Sequence, residues 1–345
     1  MICFAWSGFP QYAARCVGAF VRATSEKVVV VATKPKVPIE GMESVCGCPV
    51  FWVSGDDRRT LKELIGEEPR ALLVSSWIIP AFNRYRDEVR KIGGKVFCLC
   101  DHNHNRSWID WLRAIRFRLF LKNKYDGFMV PGKSGVECLQ FYGVSSEMIR
   151  TGMYSADASV FTSGKPIDIR PKKIIYVGQF IERKNVRRMV IAFKNALRSV
   201  GGDWTLELYG SGPLRKELSS LADSHVAVKD FVQPENLSAL YRDAQWFCLP
   251  SIEEHWGLVV HEAALSGCGL LLSNKVGAAD DLLTLENGFT FNPNDINQMT
   301  SVFIQAMKMD STALKNAQNV SLRLAREINL DSFVKNVVSL VRDKS

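Results

Sequence analysis

No apolar run in the 345 residues approaches the roughly 18 needed to cross a bilayer, so a single-helix membrane span is excluded. There is no low-complexity tract and no repeat of about 20–50 residues, which excludes solenoids and long disordered linkers. Met1 to Trp6 has no basic stretch ahead of an apolar core, so no secretory signal is read there and a cytoplasmic protein is expected. Nine cysteines, an odd number in a long chain, argue for reduced thiols over a disulfide framework. Cys46-Gly-Cys48 and Cys98-Leu-Cys100 are spaced too tightly for the usual zinc ligand pairs and read as core thiols.

With 47% hydrophobic and 23% charged residues, the chain is ordinary for a globular protein and long enough for two cores. Its charge is uneven: residues 1–165 hold 23 Lys and Arg against 16 Asp and Glu, whereas the remainder is nearly balanced. An anionic partner for the first half follows, either a membrane surface or a phosphate-bearing acceptor. No nucleic-acid partner is expected.

Strand and helix patterns alternate along that half. Ile2 to Trp6, Lys27 to Thr33, Pro49 to Val53, Ala71 to Trp77, Lys95 to Cys100, Phe128 to Val130 and Met148 to Arg150 read as strands, most followed by helical segments. Such alternation predicts a parallel, doubly wound, Rossmann-like α/β sheet with ligands at the carboxyl ends of its strands. Gly8 lies in the first such turn, where a glycine lets a ligand approach the backbone. His102 and His104 follow the Lys95 to Cys100 strand. They are well placed there for ligation or acid–base chemistry, with an N-cap role for Asn103 or Asn105, or a metal site lacking a clear third ligand, as the alternatives.

Ser107 to Lys124 reads as a helix whose Trp108, Trp111, Leu112, Ile115 and Leu119 share one stripe. Arg113, Arg116, Arg118, Lys122 and Lys124 surround it, and Phe117 falls on the other side. Two placements fit: lying on anionic lipid, or a core helix with arginine stems along its edges.

The most informative stretch is Trp246 to Ser273. It reads as strand, loop, helix, strand, with Glu254 in the loop and Glu262 about five residues, roughly 7.5 Å, into a helix starting near Gly257. The start of that helix presents N–H groups and a partial positive charge suited to a diphosphate. A carboxylate on either side could accept hydroxyls from two different sugar rings, the outline of a nucleotide-sugar.

Pro250-Ser251-x-x-Glu254-x-Trp256-Gly257-Leu258-x-x-x-Glu262-Ala263 resembles the E-x7-E segment of the retaining GT4 glycosyltransferases, which have the GT-B fold. His255 stands where the family has Gly, Trp256 where it has Phe, and Gly269 where it has Pro; the last exchange is expected to matter little. Gly178-Gln179-x-x-x-Arg183-Lys184-Asn185 resembles the G-R-x-x-x-x-K-G turn whose two cations hold the diphosphate. Lys184 matches the lysine, and Gln179 replaces the arginine. Gly210-Ser-Gly212-Pro213 resembles the turn beside the nucleotide, and Phe231 to Leu237, with Val232, the loop beside the base.

The resemblance implies two Rossmann-like domains facing each other across a cleft: residues 1–165 on the acceptor side, 166–325 binding the nucleotide-sugar, and a terminal helix in 326–345 returning to the first. It implies transfer of a sugar from a nucleotide-diphosphate donor to a glycan or lipid-linked acceptor, with retained configuration. Glu254, Lys184, His102 and His104 are then catalytic candidates. Donor-binding candidates are Glu262, Gly8, Gln179, Arg183, Gly210, Gly212, Val232, His255, Trp256, Gly257 and Leu258. No Asp-x-Asp occurs, so no metal cofactor is expected. Rival readings are a nucleotide-sugar epimerase or phosphorylase on the same fold, a sugar-binding protein without catalysis, and an idle scaffold.

Overall fold

The structure is a computed structural model that describes residues 1–35, 41–102 and 108–342. The chain forms two compact units, residues 1–155 with 329–342, and residues 156–328.

In the first unit seven strands form one parallel sheet in the order β3-β2-β1-β4-β5-β6-β7. They are β1 (Ile2–Trp6), β2 (Val28–Ala32), β3 (Val50–Trp52), β4 (Ala71–Val74), β5 (Lys95–Leu99), β6 (Gly127–Met129) and β7 (Ile149–Arg150). β1, β2 and β4 are buried along their whole length, which is why they read as continuous apolar runs without alternation. Phe4 meets Phe20 edge-on across 5.9 Å, and Phe117 packs against Trp77, Phe128 and Tyr142.

The second sheet, also parallel, runs β10-β9-β8-β11-β12-β13. Its strands are β8 (Lys173–Val177), β9 (Thr205–Tyr209), β10 (Val226–Lys229), β11 (Trp246–Leu249), β12 (Gly269–Ser273) and β13 (Gly288–Phe291). From β8 the chain winds outward in one direction to β9 and β10. From the adjacent β11 it winds the other way. The winding therefore reverses between β8 and β11, the kind of switch point at whose carboxyl edge α/β sheets place ligands.

Three expectations are revised. The first is the domain boundary: residues 156–165 pack with the second unit, not the first. The Ala156 N–H donates to Nδ1 of His261 at 3.0 Å, Phe161 lies edge-on to Tyr241, and Arg170 Nε reaches the Lys165 carbonyl. The return to the first unit comes at Asn329, because the Ser311–Glu327 helix still belongs to the second. The Leu330–Val341 helix then packs on Gln11–Ala23, with Phe333 stacked on Phe4 and Asn336 donating to the Thr151 carbonyl.

Gly269 is the second revision. A Cβ built there would meet the Trp246 ring at 2.4 Å, so in this chain glycine is what allows the indole to lie across the start of β12. The exchange from Pro thus goes with Trp246. Thirdly, of the two placements left open for the stripe on residues 107–124, the core one is set aside: the Trp108–Phe120 helix buries Asp110, Ala114 and Phe117 and leaves the stripe exposed.

Candidate active site

Two loops make the site, one after β8 and one after β11. After β8 a short 3-10 turn, Glu182–Lys184, ends at Asn185, which takes a left-handed conformation at φ 57°. Asparagine tolerates that region, and its carboxamide uses it: Nδ2 donates to the Pro250 carbonyl at 3.2 Å and the Pro293 carbonyl at 2.8 Å. The Ile252 N–H donates to the Arg183 carbonyl, and the Arg183 guanidinium to the Glu253 carbonyl. The turn and the E-x7-E loop are thereby stitched into one frame.

On this frame Lys184, buried to all but 9%, forms an ion pair with Glu254, and Arg183 lies 3.7 Å from the same carboxylate oxygen. Ser251 donates a third contact at 3.1 Å. The resemblance leaves one cation short, since Gln179 replaces arginine. The structure brings Arg183 to Glu254 beside Lys184, because the 3-10 turn sends two successive side chains to one partner.

The Leu258–Leu265 helix begins at Gly257, in a left-handed conformation at φ 96°, and no described side chain caps it. A Cβ at 257 would stand 3.2 Å from Glu254 Cγ, so the acidic arm lies against the first residue of the helix. Glu262 is buried, and its carboxylate accepts from the Tyr241 hydroxyl at 3.1 Å. Burial raises its pKa to about 7, against which the Tyr241 hydrogen bond pulls down. The two acids thus sit in unlike surroundings, Glu254 among cations and hydroxyls, Glu262 in a nearly apolar wall.

Gly210 and Gly212 have a packing role. Added Cβ atoms would approach the Gly178 carbonyl oxygen to 1.9 Å and the Phe180 carbonyl oxygen to 2.5 Å, so the loops after β8 and β9 touch backbone to backbone. The Phe180 N–H donates to the Ser211 carbonyl at 2.8 Å, closing that contact.

Residues 161–322 match the family model described as glycosyl transferases group 1. That part of the chain is similar to this family. Glycogen synthase of Mycobacterium tuberculosis (strain ATCC 25618 / H37Rv) is 26% identical over 164 residues, 46% of this chain and 39% of that protein. The 2-deoxystreptamine N-acetyl-D-glucosaminyltransferase of Niallia circulans is 24% identical over 147 residues, 41% of this chain and 38% of that protein. The chain thus spans about two fifths of the length of these curated relatives. Among solved structures, Anabaena HepE in complex with UDP and glucose superposes with a TM-score of 0.76 at 11% identity, covering 98% of both chains. Sucrose-phosphate synthase from Thermosynechococcus elongatus gives 0.73 at 17%, covering 99% of this chain and 98% of its own. The architecture is therefore that of the GT-B glycosyltransferases, with two parallel α/β sheets.

Within residues 156–328, Lys184 and Arg183 meet Glu254 at the β8–β11 switch, with Gly257 against the Glu254 side chain and Leu258 next at the start of the helix. Gln179 follows β8 in the same loop, and its carbonyl accepts from the Tyr176 hydroxyl at 2.9 Å. Val232, half-buried, follows β10, and His255 lies beside Glu254 in the loop. Trp256 is set apart: its side chain is wholly buried and its indole N–H donates to Asp281 at 2.8 Å, so the ring is core and only its backbone borders the site. Gly8 and His102 belong to the first unit. Gly8 adopts φ 60° with its N–H bonded to Thr33 Oγ1, and the His102 ring stands 5.9 Å from Trp77. His104 lies outside the described residues, as do Asn103 and Asn105.

Four contributors escaped the sequence reading. Asn185 and Tyr241 act through contacts made only in the fold. His261, next to Glu262, accepts the Ala156 N–H on Nδ1, so its Nε2–H faces the Ala325 carbonyl at 2.8 Å. It is held neutral by burial, with its pKa lowered to about 4. Arg170 directs its guanidinium to the Tyr241, Ala244 and Ser266 carbonyls, a cation placed at the carboxyl ends of two helices, one of them the site helix.

Proposed function

We propose that this chain transfers a sugar from a nucleotide-diphosphate donor to the hydroxyl of a glycan or lipid-linked acceptor, without a metal ion and with retained anomeric configuration. The observation that carries this reading is the convergence of Lys184, Arg183 and the open helix start at Gly257 on Glu254, at the switch between β8 and β11. In the reaction the anomeric carbon–oxygen bond breaks, the nucleoside diphosphate leaves with the electron pair, and the acceptor oxygen takes its place as it gives up a proton. Negative charge grows on the departing phosphate, where two fixed cations and the first amides of a helix stabilise it. Glu254 orients the donor sugar and Glu262 the ribose, while Tyr241 steadies the latter carboxylate. UDP in HepE, a protein of the same fold, supports a nucleotide-sugar as donor.

Gln179 in place of a cation favours a second reading, a binder without catalysis. Arg183 supplies a cation at the same carboxylate, which favours the enzyme. A thermal-shift screen with UDP-, GDP- and ADP-sugars separates the donors, since a ligand at 100 times Kd adds about 2.7 kcal/mol of stability. Turnover of the selected donor is expected, unchanged by EDTA and lost in Glu262→Ala. Binding without any turnover would establish the binder instead, and activity abolished by EDTA and restored by manganese would refute the metal-free reaction.

A further inference from the structure

We propose that the outer face of the Trp108–Phe120 helix docks on an anionic lipid surface, with a lipid phosphate seated in the basic cavity along its edge. At 100° per residue, Asp110, Ala114 and Phe117 fall together on the buried side of the helix. Trp108, Leu112, Ile115 and Leu119 fall opposite them, facing away from the core, and Trp111 stands at the border of that stripe, half-exposed, with its ring edge-on to Phe141 at 4.7 Å. Trp108 is 72% exposed and Leu119 69%. A helix about 20 Å long thus has two apolar faces, of which the described residues cover one.

Charge indicates what covers the other. The helix has one carboxylate, Asp110, and it is buried and paired with Arg113 at 3.2 Å. Arg116, Lys122 and Lys124 border the stripe and make no ion pair among the described residues. A cavity of about 680 Å³ beside the helix is lined by Arg113, Arg116 and Lys124 together with Trp77, His102 and Tyr142. Apolar side chains that can sink about 5–10 Å toward acyl chains, tryptophans at the boundary and cations at its edge match a phospholipid headgroup layer. A second copy of the chain would bring these cations against one another, and an apolar protein groove would leave them unmatched. The surplus of basic residues in 1–165 acts in the same direction.

This docking is independent of the sugar-transfer reading; where both hold, the acceptor is presented at a membrane. The test is sedimentation of the full chain with phosphatidylcholine vesicles, with and without phosphatidylglycerol. Binding is expected with the anionic vesicles alone and should weaken as salt rises. Leu112→Glu with Leu119→Glu should reduce it at least about tenfold, as should Arg116→Glu with Lys124→Glu, with circular dichroism and melting temperature unchanged. Turnover of a soluble acceptor should be the same in all three proteins. Equal binding to both vesicle types, or none, overturns the proposal. So does a dimer in light scattering that the leucine variants dissociate while vesicle binding is absent.

Discussion

The Leu258–Leu265 and Trp108–Phe120 helices are both rich in apolar residues, and the fold treats them in opposite ways. The first lies between β11 and β12, and from Val260 to Leu265 every residue is buried, polar His261 and Glu262 included. The second buries three residues of thirteen and leaves seven large apolar side chains exposed. Apolar content therefore says little about where a helix faces. In the first helix the buried polar groups are the informative feature, because each needs a partner and each has one. In the second it is the uncovered apolar stripe.

Truncating a ring on the covered face of the Trp108–Phe120 helix should have the largest effect. Phe117→Ala removes packing against Trp77, Phe128 and Tyr142 and should cost about 3–5 kcal/mol in urea unfolding. A cost below about 1 kcal/mol would mean that this face is not core.

Lys184→Ala should reduce kcat about 10²–10³-fold through the lost charge on the leaving diphosphate, and should also lower the melting temperature, because it leaves the largely buried Glu254 carboxylate without its lysine partner. A wild-type kcat in that variant would remove Lys184 from the chemistry.

The third effect separates two neighbours on one helix. Burial holds His261 at about 4, below its ordinary 6.5, and Glu262 at about 7, above its ordinary 4.5. At His261 the unfolded chain binds more protons between those values, so stability is lost as pH falls from 6.5 to 4. At Glu262 the folded chain binds more, so stability is lost as pH rises from 4.5 to 7. Each contribution is on the order of 3 kcal/mol, and they offset one another between 4.5 and 6.5. Denaturant midpoints of Glu262→Gln should rise with pH over that window, and those of His261→Gln should fall. Parallel profiles in the two variants would show that the pair is not buried as described.

The smallest effect completes the contrast. Leu119→Ser, on the uncovered stripe, should shift stability by no more than about 0.5 kcal/mol. A loss comparable to that of Phe117→Ala would show that the stripe is covered in solution.

Much of the second unit was legible in sequence. β8, β9, β10 and β11 are legible from local pattern, since each is a short, largely apolar run closed by Gly, Pro or a charged residue. The Met42–Cys46 and Arg215–Ser220 helices were not expected; each spans five or six residues, too few to show a helical period. Glu254, Glu262 and Lys184 were found because their spacing matches a known pattern. Tyr241 was not, because its link to Glu262 joins two helices 21 positions apart in the chain. Asn185 was not, because its left-handed backbone and its two side-chain bonds to the Pro250 and Pro293 carbonyls exist only in the fold.

Local pattern alone determined the alternation of strands and helices, the parallel sheets that follow from it, and the pair of carboxylates flanking a helix start. These are decided within a few residues by burial, turn chemistry and spacing. Tertiary structure alone decided which side of the Trp108–Phe120 helix faces inward, which cations reach Glu254, and that Trp256 belongs to the core. Each is a choice between chemically similar options, and only the shape of the surrounding packing distinguishes them: one pocket admits Phe117, one turn aims Arg183 and Lys184 together, and one glycine leaves room for Trp246.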